Sequence, residues 1–179
     1  KVQPIDLSAS EIDVRLGATW LPPEDIGQFV HELLSTAYYL RNRIKAHYSP
    51  YTASWNIEGK SADSGNVAAG VTYGTNRINA YKIIEETLNL KDVRIFDTVI
   101  DADGKEQRVL NKKETILAQQ KQQLIKDAFR DWIWKDPNRR DRLTTLYNTK
   151  FNSTRPREYD GSHIKFVGMN PEITLRPHQ

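Results

Sequence analysis

"VRIFDTVIDADGKEQRVLNKKETILAQQKQQLIKDAFRDWIWK", Val93–Lys135, is the stretch that decides the fold class. Its first half holds two strand-like runs on either side of Asp101-Ala102-Asp103-Gly104. Asp-Gly supplies the positive φ that a tight hairpin turn requires, so the runs read as paired antiparallel strands. The second half changes period. Asn111 and Glu114 stand at helix-capping spacing, and Leu117, Leu124, Ile125, Ala128, Phe129, Trp132 and Ile133 recur as one wide apolar stripe. Lys112, Lys113, Lys121, Lys126 and Arg130 fall mostly outside it. Asp136-Pro137 ends the helix, because a residue before proline avoids the α region and proline starts a helix well. A hairpin running into a helix over 111–135, about 37 Å long at 1.5 Å per residue, predicts an α+β fold of several helices packed with small antiparallel hairpins.

Working outward, a further helix is expected over 138–150, carrying Leu143, Leu146 and Tyr147. Beyond it, 153–179 is irregular and proline-bearing, and reads as an exit segment from a domain spanning 1–152. Upstream, Ser8 and Glu11 have capping-box spacing, and Gly17 can close the short helix they would start. "WLPPEDIGQFVHELL" predicts a stronger one: Pro22-Pro23 at its start, Glu24 and Asp25 in the first turn, and Ile26, Phe29, Val30, Leu33 and Leu34 on one face. Ile44–Gly59 reads as a hairpin or two short strands, and Lys60–Asn76 as a loop with a short strand at Ala69–Tyr73. Thr75 can cap a helix whose stripe is Ile78, Tyr81, Ile84 and Leu88.

The 179 residues suit one domain, or one domain and a small lobe. A mean hydropathy of −0.67 is low but leaves four Trp, eight Tyr and five Phe to anchor a core. No apolar run is long enough to span a membrane, and no basic-then-apolar leader precedes the first helix. With no cysteine, disulfides and thiolate metal sites are excluded, which fits a reducing cytoplasm. A net charge of +3 leans mildly towards polyanions.

Several short motifs dissolve on inspection. Glu58-Gly59-Lys60-Ser61 ends like a phosphate-binding loop, yet Ser54 stands where its first glycine belongs. A calcium loop with Gly104 at its sixth position would need ligands at Val99 and Leu110. Asn170-Pro171-Glu172-Ile173 lacks the second proline and the aromatic of a base-flipping methyltransferase motif. Asn152–Thr154 spells a glycosylation acceptor, but nothing points to secretion. His31, His47, His163 and His178 show no metal-ligand spacing, and Glu85-Glu86 reads as a solvated helix face. No catalytic constellation and no metal site emerge. One cluster remains: Lys135, Arg139, Arg140 and Arg142 at a helix start, with Arg155 and Arg157 beyond and Trp132, Trp134 and Tyr147 nearby. Guanidinium groups beside helix N-terminal amides suit phosphate contacts. The competing reading is a solvated face, partly neutralised by Asp131, Asp136 and Asp141.

Five stretches in order carry a wider likeness: "DLSASEIDVRLGATWLPPEDIGQF", "TYGTNRINAYKIIEETLNLKDVRIFDT", "VLNKKETILAQQKQQLIKDAFRDWI", "YNTKFNSTRPREYDGSHIKFVGMNPEI" and the closing "LRPHQ". Together they resemble the connecting region of very large proteins of phages and conjugative elements. Those proteins join an adenine-specific DNA methyltransferase to a Swi/Snf-type helicase, and are related to antirestriction methylase–helicases. The resemblance implies that the chain is a piece of such a protein, with the methyltransferase motif before Lys1 and the ATPase motifs after Gln179. It implies ATP and S-adenosylmethionine as cofactors of the parent, none for this piece, and DNA and the two flanking domains as partners. In the parent, Gln179 would hydrogen-bond the adenine of ATP and Arg176 would shape that entrance. Three readings follow. The chain is a spacer and DNA-contacting module, or a self-contained nucleic-acid-binding module built on Arg139–Arg142, or a structural docking domain with Trp20, Trp55 and Trp134 in an exposed apolar patch.

Overall fold

The first helix begins where Pro22-Pro23 places it and runs Pro23–Leu33 (α1). A computed structural model describes residues 5–152. The expectations placed on the exit segment, Arg155, Arg157, Arg176 and Gln179 lie outside the described residues. After α1 come strands Lys45–Ser49 (β1) and Ser54–Glu58 (β2), helix Ala80–Leu88 (α2), strands Phe96–Ile100 (β3) and Glu106–Leu110 (β4), and helices Lys112–Ile133 (α3) and Pro137–Phe151 (α4). Each strand pair forms its own two-stranded antiparallel sheet, so the fold is α+β with one long helix.

The core lies between α1, the first hairpin, α2 and α3. Ile26, Phe29, Val30 and Leu34 of α1 meet Ile125, Phe129 and Ile133 of α3 within one buried cluster. Phe29 and Phe129 meet edge-to-face at 5.1 Å between ring centres, a geometry that adds about 1 kcal/mol to their burial. Ala46, Trp55 and Ile57 turn one face of the β1–β2 ladder inward, and Tyr81, Ile83, Ile84 and Leu88 fill the space beneath. α4 holds the segment that precedes α1: the Asn148 side chain accepts from Leu7 N (2.8 Å) and donates to Leu7 O (2.9 Å), while Asn152, just after α4, donates to Ile5 O (2.7 Å).

Several local expectations are corrected. Residues 8–17 form no helix. Ser8 and Glu11 do make the capping contact, with Ser8 N donating to Glu11 Oε2 at 2.8 Å, but the chain then runs on with Ile12, Val14 and Leu16 buried and Asp13 and Arg15 exposed. That alternation is the period of extended chain, and it outweighs a cap that has no helical stripe behind it. Gly17 is needed because φ is +106° and a Cβ there would stand 2.7 Å from Leu88 O. Residues 68–72 form a π-helical turn, not a strand; Ala68, Ala69 and Gly70 give little β preference, and Val71 and Thr72 have no neighbouring strand to pair with. Asn79, not Thr75, caps α2, its Oδ1 accepting from Lys82 N at 3.0 Å. Thr75 Oγ1 serves a local turn, accepting from Arg77 N and Ile78 N. Glu85 does not face solvent: it is buried and paired with Lys60. Asp63, at the other end of the same short turn, accepts from Tyr81 Oη at 2.5 Å. Burial and that carboxylate push the Tyr81 hydroxyl well above its ordinary range, so it stays a donor.

α3 is 22 residues long, about 33 Å; of the expected stripe Ile125, Phe129 and Ile133 are buried and Ala128 and Trp132 pack against the core, but the first half of the helix is rotated from it. Leu117 and Leu124 are 40% and 51% exposed, and the buried line is Thr115, Ala118, Gln122, Ile125, Phe129 and Ile133. The tryptophans are not an exposed patch either: Trp55 is buried, and Trp20 and Trp134 pack against the core.

α1 and α2 both end in paired backbone bonds around a left-handed residue that is not glycine. After α2, Leu90 N donates to Thr87 O and Lys91 N to Glu86 O, with Leu90 at φ +59°. Ser35 occupies the matching place after α1 at φ +49°. Leu90 is 65% exposed, so it gains little from packing to offset the strain. Leu90→Gly is therefore expected to stabilise the fold by about 1 kcal/mol, seen as a higher denaturation midpoint. A loss of stability would mean that its contact beneath Gly17 matters more than the backbone.

Candidate nucleic-acid interface

The arginines of α4 divide by destination. Asp136 Oδ1 caps α4, accepting from Asn138 N (2.8 Å) and Arg139 N (3.2 Å), so two amides that could meet a phosphate are already occupied. Those backbone bonds, from Arg139 and then Asn138, hold the Asp136 carboxyl below its ordinary range. Arg139 is 6% exposed. Its Nε donates to Ile133 O (3.1 Å), its Nη2 to Trp132 O (2.5 Å), and its guanidinium lies 3.5 Å from the centre of the Trp132 ring. Arg142 grips buried Asp25 at the start of α1 with two bonds, 2.9 and 2.5 Å. These bonds raise the Arg142 pKa and fasten α4 to α1. Arg140 and Lys135 remain exposed with no carboxylate partner among the described residues. Sequence adjacency thus gathers three arginines of which two serve the interior.

A different cationic surface is assembled from distant parts of the chain. It is organised by the extended segment 91–95, which lies along α3 without a partner strand. Buried Gln122 replaces that strand: its Oε1 accepts from Val93 N (3.2 Å), and its Nε2 donates to Lys91 O (2.8 Å) and Thr87 Oγ1 (3.0 Å). Gln119 donates to Val93 O at 3.1 Å, and Thr115 Oγ1 accepts from Ile95 N at 2.9 Å. With Val93 and Ile95 turned inward, Lys91, Asp92 and Arg94 are exposed.

Two clefts, of about 280 and 500 Å³, meet along this segment and share Lys91 and Asp92 as walls. Arg15, Lys126 and Arg130 line the first; Lys82, Arg94 and Phe96 line the second. The anions on the same walls are Asp13, Glu86 and Asp92. Lys82 is paired with Glu86 at 3.2 Å, and Arg130 stands 4.0 Å from Asp127. Arg15, Lys91, Arg94 and Lys126 have no carboxylate within ion-pair distance among the described residues. A groove walled by four cations outside any ion pair, and by more cations than acids, suits a polyanion's backbone. Sequence reading missed it because no two of these four adjoin. The one signal available was the alternation of Lys91, Val93, Arg94 and Ile95 just before the hairpin.

A third cleft, about 370 Å³ between α1 and β1, carries mixed charge. Glu32 there accepts from Trp132 Nε1 and Gln28, and the His31 ring is bonded to Ile44 O at 2.7 Å. Arg41 also donates, to Thr36 O at 3.2 Å, so several of the cleft's polar groups already have partners. Among the described residues, no group of three or more His, Asp or Glu is placed to hold a metal ion, and no helix is long and apolar enough to cross a membrane.

No curated protein and no solved structure matches the chain. A family profile does, over residues 15–153, taking in most of the core, both hairpins and all four of Arg15, Lys91, Arg94 and Lys126. The chain belongs to the family described as domain of unknown function (DUF8437).

Proposed function

We propose that the chain is a non-catalytic connector and DNA-contacting module, resting on the phosphate backbone through the groove along 91–95. The observation that carries this reading is that Arg15, Lys91, Arg94 and Lys126 line adjoining clefts with no ion-pair partner among the described residues. The likeness to methyltransferase–helicase connecting regions supplies the setting. On that reading the parent is a cytoplasmic protein of a phage or conjugative element. Its methyltransferase uses S-adenosylmethionine, its motor uses ATP, and this module fixes the spacing between them with α3 as the strut. The groove supports a backbone contact in preference to the α4 arginines, since Arg139 and Arg142 are held by internal partners.

The test is titration of a labelled DNA duplex with the 179-residue chain at several salt concentrations. Binding is expected to be weak, with log K falling against log salt at a slope of about −3 to −4, one counterion step per released phosphate contact. Replacing Arg15, Lys91, Arg94 and Lys126 by alanine together should flatten the slope towards zero, and Lys135→Ala with Arg140→Ala should leave it unchanged. A slope unaffected by the fourfold change, or absence of binding at low salt, would remove the groove from the account. Steady ATP hydrolysis by the pure chain would end the non-catalytic part of it.

A further inference from the structure

The second hairpin is built unlike the rest of the molecule. Every residue of β4 is exposed, and β3 is no better than half-buried at its base and exposed beyond. Val99, Ile100, Val109 and Leu110 are 48%, 68%, 48% and 41% exposed. A two-stranded sheet with neither face covered is marginal in water. Its base is pinned by Arg77, which donates to Asp97 Oδ1 (2.6 Å) and Phe96 O (2.9 Å), and by Asn111 Nδ2 to Asp97 Oδ2 (2.9 Å). Those bonds, Arg77's first, hold the Asp97 carboxyl below its ordinary range. The far end is held by its own turn, where Asp101 accepts from Asp103 N and Lys105 N and Gly104 sits at φ +76°, and by Gln107 Nε2 donating to Asp101 Oδ2 at 3.0 Å.

The ladder's parity shows which edge is open. Asp101 N donates to Lys105 O and Asn111 N to Ile95 O, so the hydrogen-bonded pairs are 95–111, 97–109, 99–107 and 101–105. The N–H and C=O of residues 96, 98 and 100 therefore point away from β4, and those of 106, 108 and 110 away from β3. On the β3 side Arg77 already occupies Phe96 O. On the β4 side Glu106, Arg108 and Leu110 offer backbone donors and acceptors that meet no partner among the described residues. An open edge flanked by apolar side chains is a template for another strand. DNA does not fit here: from 96 to 110 the acids are Asp97, Asp101, Asp103 and Glu106 against only Lys105 and Arg108.

We propose that β4 pairs antiparallel with β4 of a second copy of this chain, giving a continuous four-stranded sheet across a twofold axis at Gln107. Charge selects both occupant and register. Residues 106 and 108 both present their backbone groups outward, so they can face each other across the axis. Glu106 of each copy then stands opposite Arg108 of the other, twice by symmetry, with Gln107 opposite Gln107. Moving the axis to Arg108 would instead oppose arginine to arginine, which is unfavourable. The inference is independent of DNA binding, because it uses the hairpin and not the groove.

Sedimentation of the 179-residue chain over a wide concentration range tests it. The expected result is a reversible dimer. Glu106→Arg and Arg108→Glu, alone, should each weaken it by about tenfold or more, and the two together should restore it, because the exchanged charges again oppose one another. Both single changes keep β4's ladder with β3, which circular dichroism can verify. Arg108→Pro removes an outward N–H without touching that ladder, and should leave a monomer. A wild-type monomer at every concentration overturns the proposal. So does a dimer indifferent to Arg108→Pro, or a double variant no better than the singles.

Discussion

Gln122→Ala is expected to lower stability by about 4 kcal/mol, which for a chain of this size means a fall in melting temperature of roughly 8–16 °C. The size follows from what the amide does. Gln122 is 3% exposed, and three hydrogen bonds end on its side chain, two of them from the backbone of the unpaired segment 91–95. Alanine leaves Val93 N–H and Lys91 C=O without their partner, each costing about 1–3 kcal/mol, and opens a small cavity in addition. Gln122→Leu refills the space but restores no hydrogen bond, and should recover only a minority of the loss. The two variants separate polar satisfaction from packing. Equal stability of Gln122→Leu and wild type, in chemical denaturation, would show that water serves these groups as well as glutamine does. Because segment 91–95 carries Lys91 and Arg94, the alanine variant should also bind DNA more weakly even well below its melting temperature.

The same residue shows why part of the fold could not be read in advance. The sequence marks α1 by Pro22-Pro23 and an apolar face, and marks the second hairpin by Asp103-Gly104; both signals are local, and both elements form. The second half of α3's inward face is legible in Ile125, Phe129 and Ile133, but the first half is not, because it includes Thr115 and Gln122, polar residues whose partners lie 20 to 35 positions away. Leu117 and Leu124 fit the helical period but meet no inner surface. Helix ends at Ser35 and Leu90 carried no glycine to announce them. The Ser8–Glu11 spacing was a true contact, but Ile12, Val14 and Leu16 settle the conformation through burial. The candidate interface follows the same logic. Its cations come from residues 15, 91, 94 and 126, so only the packing of the N-terminal segment and α2 against α3 brings them to one place.

Arg139→Ala should then lower stability by about 3 kcal/mol while leaving the DNA affinity of the folded protein unchanged. Arg139 is the cap of α3 as much as a residue of α4. Its guanidinium donates to the carbonyl of Ile133 and joins Lys135 N in donating to that of Trp132, two of the last carbonyls of α3, and it stacks on the Trp132 ring. Lysine cannot copy this, because one ammonium on a flexible stem neither stacks flat on the indole nor fixes two carbonyls in a plane. Arg139→Lys should therefore lose most of the same stability although the charge is kept. Arg140→Ala, one position on and exposed, should change stability by less than about 0.5 kcal/mol. The opposite pattern, a stable Arg139→Ala protein with a flatter salt dependence of DNA binding, would return the arginine cluster of α4 to the nucleic acid. Charge conservation with loss of stability in Arg139→Lys would instead locate the residue's role in the geometry of a helix end.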